Sequence, residues 1–184
     1  MKKTRQRRIE SGLPIMNQVL KWAAAAIAAA CISASLPFAV GRADDNALAS
    51  PIFGVTIPGG YRDWKLIAVG EETGLDELRS VLGNATAVKA YQDGAARFPD
   101  GTVLVKLAWK RKPVAGLNGA FITGPATTVQ VMVKDSAKYA ATGGWGFGRF
   151  IDGKPVDAAQ HETCFACHEA HASDHDFVFT HYAR

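Results

Sequence analysis

Residues 102–110 read TVLVKLAWK, the clearest β-strand signal in the chain. Valine, leucine and tryptophan side chains alternate along one face of this segment, because successive strand residues point to opposite sides of a sheet. Lys106 lies on the other face, between Leu104 and Ala108. The FPDG sequence at 98–101 predicts a turn, since proline fixes φ and glycine accepts a positive φ. The stretch therefore predicts a strand that the chain enters through a tight turn.

Segments on both sides of this strand predict further sheet and a few helices. Strands are expected at 65–69, 121–123, 127–133 and 145–151. Leucines at helical spacing predict a short helix over 75–82, and a second helix is predicted over 84–91. Several strands with few helices indicate an α+β domain built mainly from antiparallel β-sheet.

The charges of the chain are unevenly distributed. The 184 residues contain 21 Lys and Arg against 17 Asp and Glu. Seven of the basic residues and one acidic residue lie in residues 1–43, so residues 44–184 carry a net charge of −2. The basic character therefore belongs to the leader, and the folded domain has no charge signal for a nucleic-acid or anionic-membrane partner.

The leader has the layout of a secretory signal peptide. An apolar, alanine-rich run at 22–40 follows Lys21, and small residues follow the run. This predicts a signal peptide over residues 1–43, with a retained membrane anchor as the weaker alternative. Met16 opens a shorter leader of the same type, which indicates that translation starts there. Cys31 gives a faint lipoprotein signal that lacks the usual leucine.

The mature chain, residues 44–184, keeps only two cysteines, and they form the sequence CFACH at 164–168. The pattern C-x-x-C-H is the attachment site of a c-type haem. Cys164 and Cys167, about one helical turn apart, can form thioethers with the two haem vinyl groups. His168 can then ligate the iron. The prediction is one covalently bound haem c in a C-terminal haem-binding segment, exported to the periplasm.

Two other uses of this motif stay open. A redox disulfide would need the cysteines early in a βαβ unit, whereas this pair lies near the C-terminus. A zinc site would need further ligands, for which His171 and His175 are candidates. Neither alternative finds its usual context in this sequence.

All five histidines lie within the last 24 residues, so a sixth iron ligand has to be considered. His171 would share a helical side with His168 and could not reach over the porphyrin. His175 and His181 are far enough along the chain to do so. We favour a five-coordinate iron with an open distal face.

Six motifs occur in order along the chain: YRDW at 61–64, FPDGTVLVK at 98–106, MVKDS at 132–136, GGWGF at 143–147, CFACH at 164–168 and DFVFT at 176–180. This ordered set resembles the cytochrome P-460 and cytochrome c′-beta family. The resemblance implies an antiparallel sheet with helices, usually a homodimer, one covalent haem, and His168 as the proximal iron ligand.

The resemblance also gives roles to two residues on the sheet. Lys106 falls where cytochrome P-460 proteins, which oxidise hydroxylamine, carry a lysine cross-linked to the haem. Gln130 falls where those proteins carry a distal carboxylate that accepts substrate protons. An amide cannot act as a general base, but it can donate a hydrogen bond to nitric oxide or hydroxylamine. Asp135 is the nearest acidic residue, and the strand period places it with Val133 instead.

Three functions follow from these predictions. The first is an enzyme that oxidises hydroxylamine, with Lys106 and Gln130 as the candidate catalytic residues. The second is a protein that binds nitric oxide without turnover. The third is a simple electron-transfer cytochrome. The expected partners are a small nitrogen ligand, a periplasmic electron acceptor and a second copy of the chain, with no nucleic acid and, after signal cleavage, no membrane.

Overall fold

The computed structural model describes residues 48–183, which belong to one compact unit. The predicted signal peptide, the start at Met16 and the lipoprotein reading of Cys31 all lie outside the described residues. Within residues 48–183, no helix is long and apolar enough to cross a membrane.

Six antiparallel strands form a single sheet in which every strand pairs with its neighbours in the chain. The strands are β1 (Lys65–Glu72), β2 (Glu77–Gly83), β3 (Val103–Pro113), β4 (Phe121–Lys134), β5 (Trp145–Ile151) and β6 (Lys154–Pro155). Within residues 48–183 the α-helices are α1 (Ala85–Asp93) and α2 (Ala158–Ala172). Short 3-10 helices cover Tyr61–Asp63, Thr73–Leu75, Ala140–Thr142 and Ser173–His175. The predicted α+β class with a mainly antiparallel sheet is confirmed.

The helix predicted over residues 75–82 is wrong. Asp76 adopts a left-handed conformation with φ of 57°, which ends the short turn before it. Strand β2 follows, and it is paired on both sides, with β1 and with β3. A short apolar segment does not distinguish a helix from a buried strand by its spacing alone. Pairing with two neighbouring strands outweighs the local leucine spacing.

The helix predicted over 84–91 is confirmed as α1. The Asn84 side chain caps it by accepting a hydrogen bond from the Ala87 N–H at 2.9 Å. Gly83 immediately precedes this cap, and a Cβ there would lie 2.9 Å from atoms of Ala87 and Ile67. The glycine therefore allows α1 to pack closely against β1.

Strand β3, which contains residues 103–110 of the TVLVKLAWK segment, is central in the sheet and is covered on both faces. Val105 and Leu107 are buried on one face, and Leu104 and Ala108 are buried on the other. A strand buried on both sides carries apolar residues at nearly every position. Lys106 is the exception in this run, and it marks the face that carries the site.

Candidate functional site

Helix α2 carries the CFACH motif and presents its three functional side chains together. The helix begins after Asp157, whose carboxylate accepts a hydrogen bond from the Gln160 N–H at 2.9 Å. Cys164, Cys167 and His168 are three and four residues apart, so they share one helical face. The two cysteines are not joined to each other; Cys164 is half-buried and Cys167 is exposed.

His161 attaches α2 to the sheet. Its ring is fully buried. Its Nε2 accepts a hydrogen bond from the Arg149 N–H at 3.0 Å, and its Nδ1 donates to the Asp157 carbonyl at 2.8 Å. Because both ring nitrogens are used, His161 has a structural role that the sequence reasoning did not assign.

Replacing His161 with alanine is expected to lower the free energy of unfolding by about 1–3 kcal/mol, because the Arg149 N–H loses its acceptor and a fully buried ring is removed. Urea unfolding of His161→Ala should show a lower midpoint. Glu162→Ala, which changes an exposed neighbour on the same helix, should unfold at the wild-type midpoint. Equal midpoints for the two variants would contradict this role.

His168 is oriented by a backbone hydrogen bond. Its Nδ1 lies 2.7 Å from the Phe177 carbonyl oxygen, so Nδ1 carries the proton and Nε2 keeps its lone pair. Phe147 and Phe179 flank the ring at centroid distances of 5.1 and 4.8 Å. Burial lowers the pKa of His168; the hydrogen bond to Phe177 opposes this shift, and the charge of Lys106 adds to it, so that the pKa remains lowered. The neutral imidazole is the form that ligates a metal.

A cavity of about 600 Å³ lies between α2 and the sheet. Cys164, Cys167 and His168 line it from the helix, and Lys106 and Gln130 line it from the sheet. The structure thus brings together all five residues that the sequence analysis selected. Cavities of this size are typical of cofactor sites.

The sheet wall of the cavity is an ordered row of side chains. Lys106 pairs with Val81 on one side and with Gln130 on the other, and Gln130 pairs with Arg149. Directly opposed residues on neighbouring strands point to the same face. The row therefore places Lys106 and Gln130 side by side in the cavity wall.

Lys106 has an environment that disfavours its charge. Burial lowers the pKa of Lys106 to about 8, and the positive charge of Arg79 contributes to the shift. A half-buried lysine of this kind is neutral, and so nucleophilic, at a lower pH than an exposed one.

Gln130 is half-buried, and its Nε2 donates a hydrogen bond to the Thr128 hydroxyl at 3.2 Å. Asp135 does not line the cavity; its carboxylate accepts a hydrogen bond from the Lys138 N–H at 2.9 Å, within the turn after β4. The structure therefore brings no carboxylate from Asp135 to the position beside Gln130.

Glu77 and Arg79 are cavity residues that the sequence reasoning missed. The buried Glu77 carboxylate accepts hydrogen bonds from Arg79 Nη2 at 2.9 Å and from the Thr127 hydroxyl at 2.7 Å. Burial raises the pKa of Glu77, but these hydrogen bonds and the charge of Arg79 lower it more, so the carboxylate is ionised. Reading 77–83 as a strand would have placed both residues on the face of Lys106.

The histidines considered as sixth iron ligands are dispersed. His171 lines the cavity on the same helix as His168. The rings of His175 and His181 lie in tilted contact at a centroid distance of 4.6 Å, and His175 Nδ1 bonds to the Val178 carbonyl at 2.7 Å. In the described part of the chain, neither of these two lines the cavity. Across residues 48–183 there is also no group of three or more His, Cys, Asp or Glu suited to a metal ion.

The residues present fit a haem. Two thiols one turn apart and an imidazole with Nε2 available meet in a cavity of suitable size. Arg149 Nε, also at the cavity, is a buried nitrogen that finds no acceptor among residues 48–183. A group with carboxylates or other acceptors would satisfy this donor. The donor set therefore suits a haem with its two carboxylate side chains.

An antiparallel meander, a C-x-x-C-H helix and a cavity between them define a haem-binding cytochrome. The sequence model of the family described as Cytochrome P460 matches residues 58–180. The chain belongs to the cytochrome P460 family, and membership implies haem binding. A search of curated proteins found no match.

Proposed function

We propose that this protein is an exported, periplasmic cytochrome that carries one haem attached covalently through Cys164 and Cys167. His168 ligates the iron, and the protein binds small nitrogen species such as nitric oxide or hydroxylamine. The observation that carries the proposal is the cavity in which His168 on α2 and the Lys106–Gln130 row on the sheet meet. The proposed partners are a periplasmic electron acceptor and a second copy of the chain.

The residues divide the work between the two walls of the cavity. When bound, the haem supplies an iron that binds small molecules and exchanges single electrons. Cys164 and Cys167 hold it, and His168 binds through Nε2. On the sheet wall, the Gln130 amide donates a hydrogen bond to the ligand. Apolar side chains from Leu104 and Met132 line the same cavity and reduce its access to water.

Reversible ligand binding suits this wall better than turnover. Gln130 cannot accept a proton from hydroxylamine. Glu77 is a buried carboxylate of the cavity, but Arg79 and Thr127 donate hydrogen bonds to it and lower its pKa. A carboxylate with a lowered pKa is a weak general base.

Hydroxylamine oxidation is a second candidate, favoured by Lys106. Its lowered pKa makes the amine available for a bond to the haem, which is the feature that marks the oxidising members of the resembled family. The Lys106 amine thus favours hydroxylamine oxidation, whereas the absence of a carboxylate at Gln130 favours ligand binding without turnover.

The absorption spectrum of the reduced holoprotein, together with nitric oxide titration and hydroxylamine turnover, tests the proposal. An ordinary high-spin spectrum with tight nitric oxide binding and no turnover is expected for the binding protein. A strongly red-shifted Soret band with turnover would support the second candidate instead. A low-spin spectrum with no ligand binding would contradict both and leave electron transfer.

The reactivity of Lys106 should follow its pKa. The amine is mostly charged below pH 8 and mostly neutral above it. The rate at which an amine-reactive reagent labels Lys106 in the haem-free chain should therefore reach half its maximum near pH 8. Peptide mass spectrometry after amine labelling at a series of pH values measures this. The exposed Lys89 is the internal reference. A Lys106 profile that superimposes on that of Lys89 would contradict the expectation.

A further inference from the structure

A buried ion pair lies behind the loop that follows α2. Lys134, the last residue of β4, places its Nζ 3.0 and 2.9 Å from the two carboxylate oxygens of Asp176. The side chains are only 6% and 4% exposed. The same Nζ donates to the Gly143 carbonyl at 2.9 Å. The ion pair is therefore buried, has hydrogen-bonding distances, and is linked through Lys134 to the turn before β5.

Asp176 is held at its backbone as well as at its carboxylate. Its Oδ2 accepts a hydrogen bond from the Phe98 N–H at 2.9 Å, and its carbonyl accepts one from Trp145 Nε1 at 2.8 Å. Asp176 and Phe177 have φ angles of 48° and 66°. A left-handed conformation is rare for a bulky residue such as phenylalanine and persists only where the surroundings impose it.

This left-handed conformation sets the direction of the Phe177 carbonyl group. The Phe177 carbonyl accepts the hydrogen bond from His168 Nδ1 at 2.7 Å. The Phe177 ring is also confined, because a Cβ on Gly143 would lie 2.2 Å from it. A chain of contacts thus runs from Lys134 through Asp176 and Phe177 to the imidazole of His168.

We propose that Lys134 and Asp176 are positioning residues that set the strength of His168 as an iron ligand. The ion pair holds the Phe177 carbonyl on Nδ1–H, and this hydrogen bond increases the basicity of the imidazole. A buried ion pair adds little net stability compared with apolar packing, so a role in specifying this one geometry accounts for its presence. The inference rests on the proposed ligation of the haem iron by His168.

The reduction potential of the holoprotein tests the proposal. In Lys134→Met the hydrogen bond to His168 should weaken, the oxidised iron should lose stabilisation, and the potential should rise. At a fixed applied potential near the wild-type midpoint, the ratio of oxidised to reduced protein should fall by about tenfold, the lower end of effects from groups that orient metal ligands. Lys134→Arg, which keeps the charge, should restore the wild-type ratio.

Two further variants make the outcome decisive. Lys89→Met breaks an exposed ion pair with Asp93 on α1 and should leave the ratio unchanged. The double variant Lys134→Met, Asp176→Asn leaves no uncompensated buried charge, and asparagine tolerates the left-handed conformation. It should show the same fall if the single variant does not fold.

A ratio within about twofold of wild type in a folded variant would overturn the proposal and leave the pair a structural role only, since the threshold lies well below the tenfold effect expected. Failure of the proposed ligation is distinguishable, because His168→Ala would then leave the haem absorption spectrum of the wild-type protein unchanged.

Discussion

Protein in which Cys164 and Cys167 are both replaced by alanine is expected to lose all covalently bound haem. Both thiols lie on the face of α2 that lines the cavity, and no other cysteine lies in residues 44–184. In the binding protein, which has no Lys106–haem bond, only His168 ligation and cavity contacts could then retain the group. The measurement is haem absorbance that stays with the polypeptide after denaturing electrophoresis. It should fall to background.

Matched variants separate attachment from folding. Each single variant, Cys164→Ala or Cys167→Ala, retains one thiol and should keep covalent haem through a single thioether, although at lower yield. Cys31→Ala, in the predicted signal peptide, should leave the signal of the mature protein unchanged. Full retention of haem by the double variant would contradict the assignment of the attachment site.

Replacing Gln130 with glutamate is expected to raise hydroxylamine oxidation by about 10²–10⁴-fold, the usual contribution of a general base. Gln130 lies directly opposite Lys106 in the register of β3 and β4 and lines the same cavity. A carboxylate there could accept protons from bound hydroxylamine, which the amide cannot do. Steady-state turnover with an artificial electron acceptor measures the gain.

Two controls show whether the gain comes from proton transfer. Gln130→Leu removes the amide without adding a base and should not oxidise hydroxylamine. Adding Lys106→Ala to Gln130→Glu tests whether the activity also needs the lysine. An inactive Gln130→Glu protein that still binds haem and hydroxylamine would show that the missing carboxylate does not limit the reaction.

The haem motif and most of the sheet could be predicted from the sequence because both depend on local patterns. The strand around Lys106 shows alternation, and β5 is found at the predicted residues 145–151. Segment 75–82 was mispredicted because its leucines satisfy a helical spacing while its partners, β1 and β3, are distant in sequence. That one error also hid Glu77 and Arg79 from the candidate site.

Other parts of the site depend on contacts that no local pattern reveals. His161 bonds to a backbone N–H of β5, and Lys134 meets Asp176 across 42 residues of sequence. The Phe177 carbonyl that orients His168 is a backbone atom, so its role leaves no side-chain signature. Such positioning groups become visible only when the fold brings their elements together.

The mass of the intact, denatured mature protein tests the central claim most directly. For protein exported from a host that attaches c-type haem, we predict the mass of the chain plus one haem, with the increment confined to the peptide that contains residues 164–168. A mass equal to the bare chain with Cys164 and Cys167 joined as a disulfide would contradict the account.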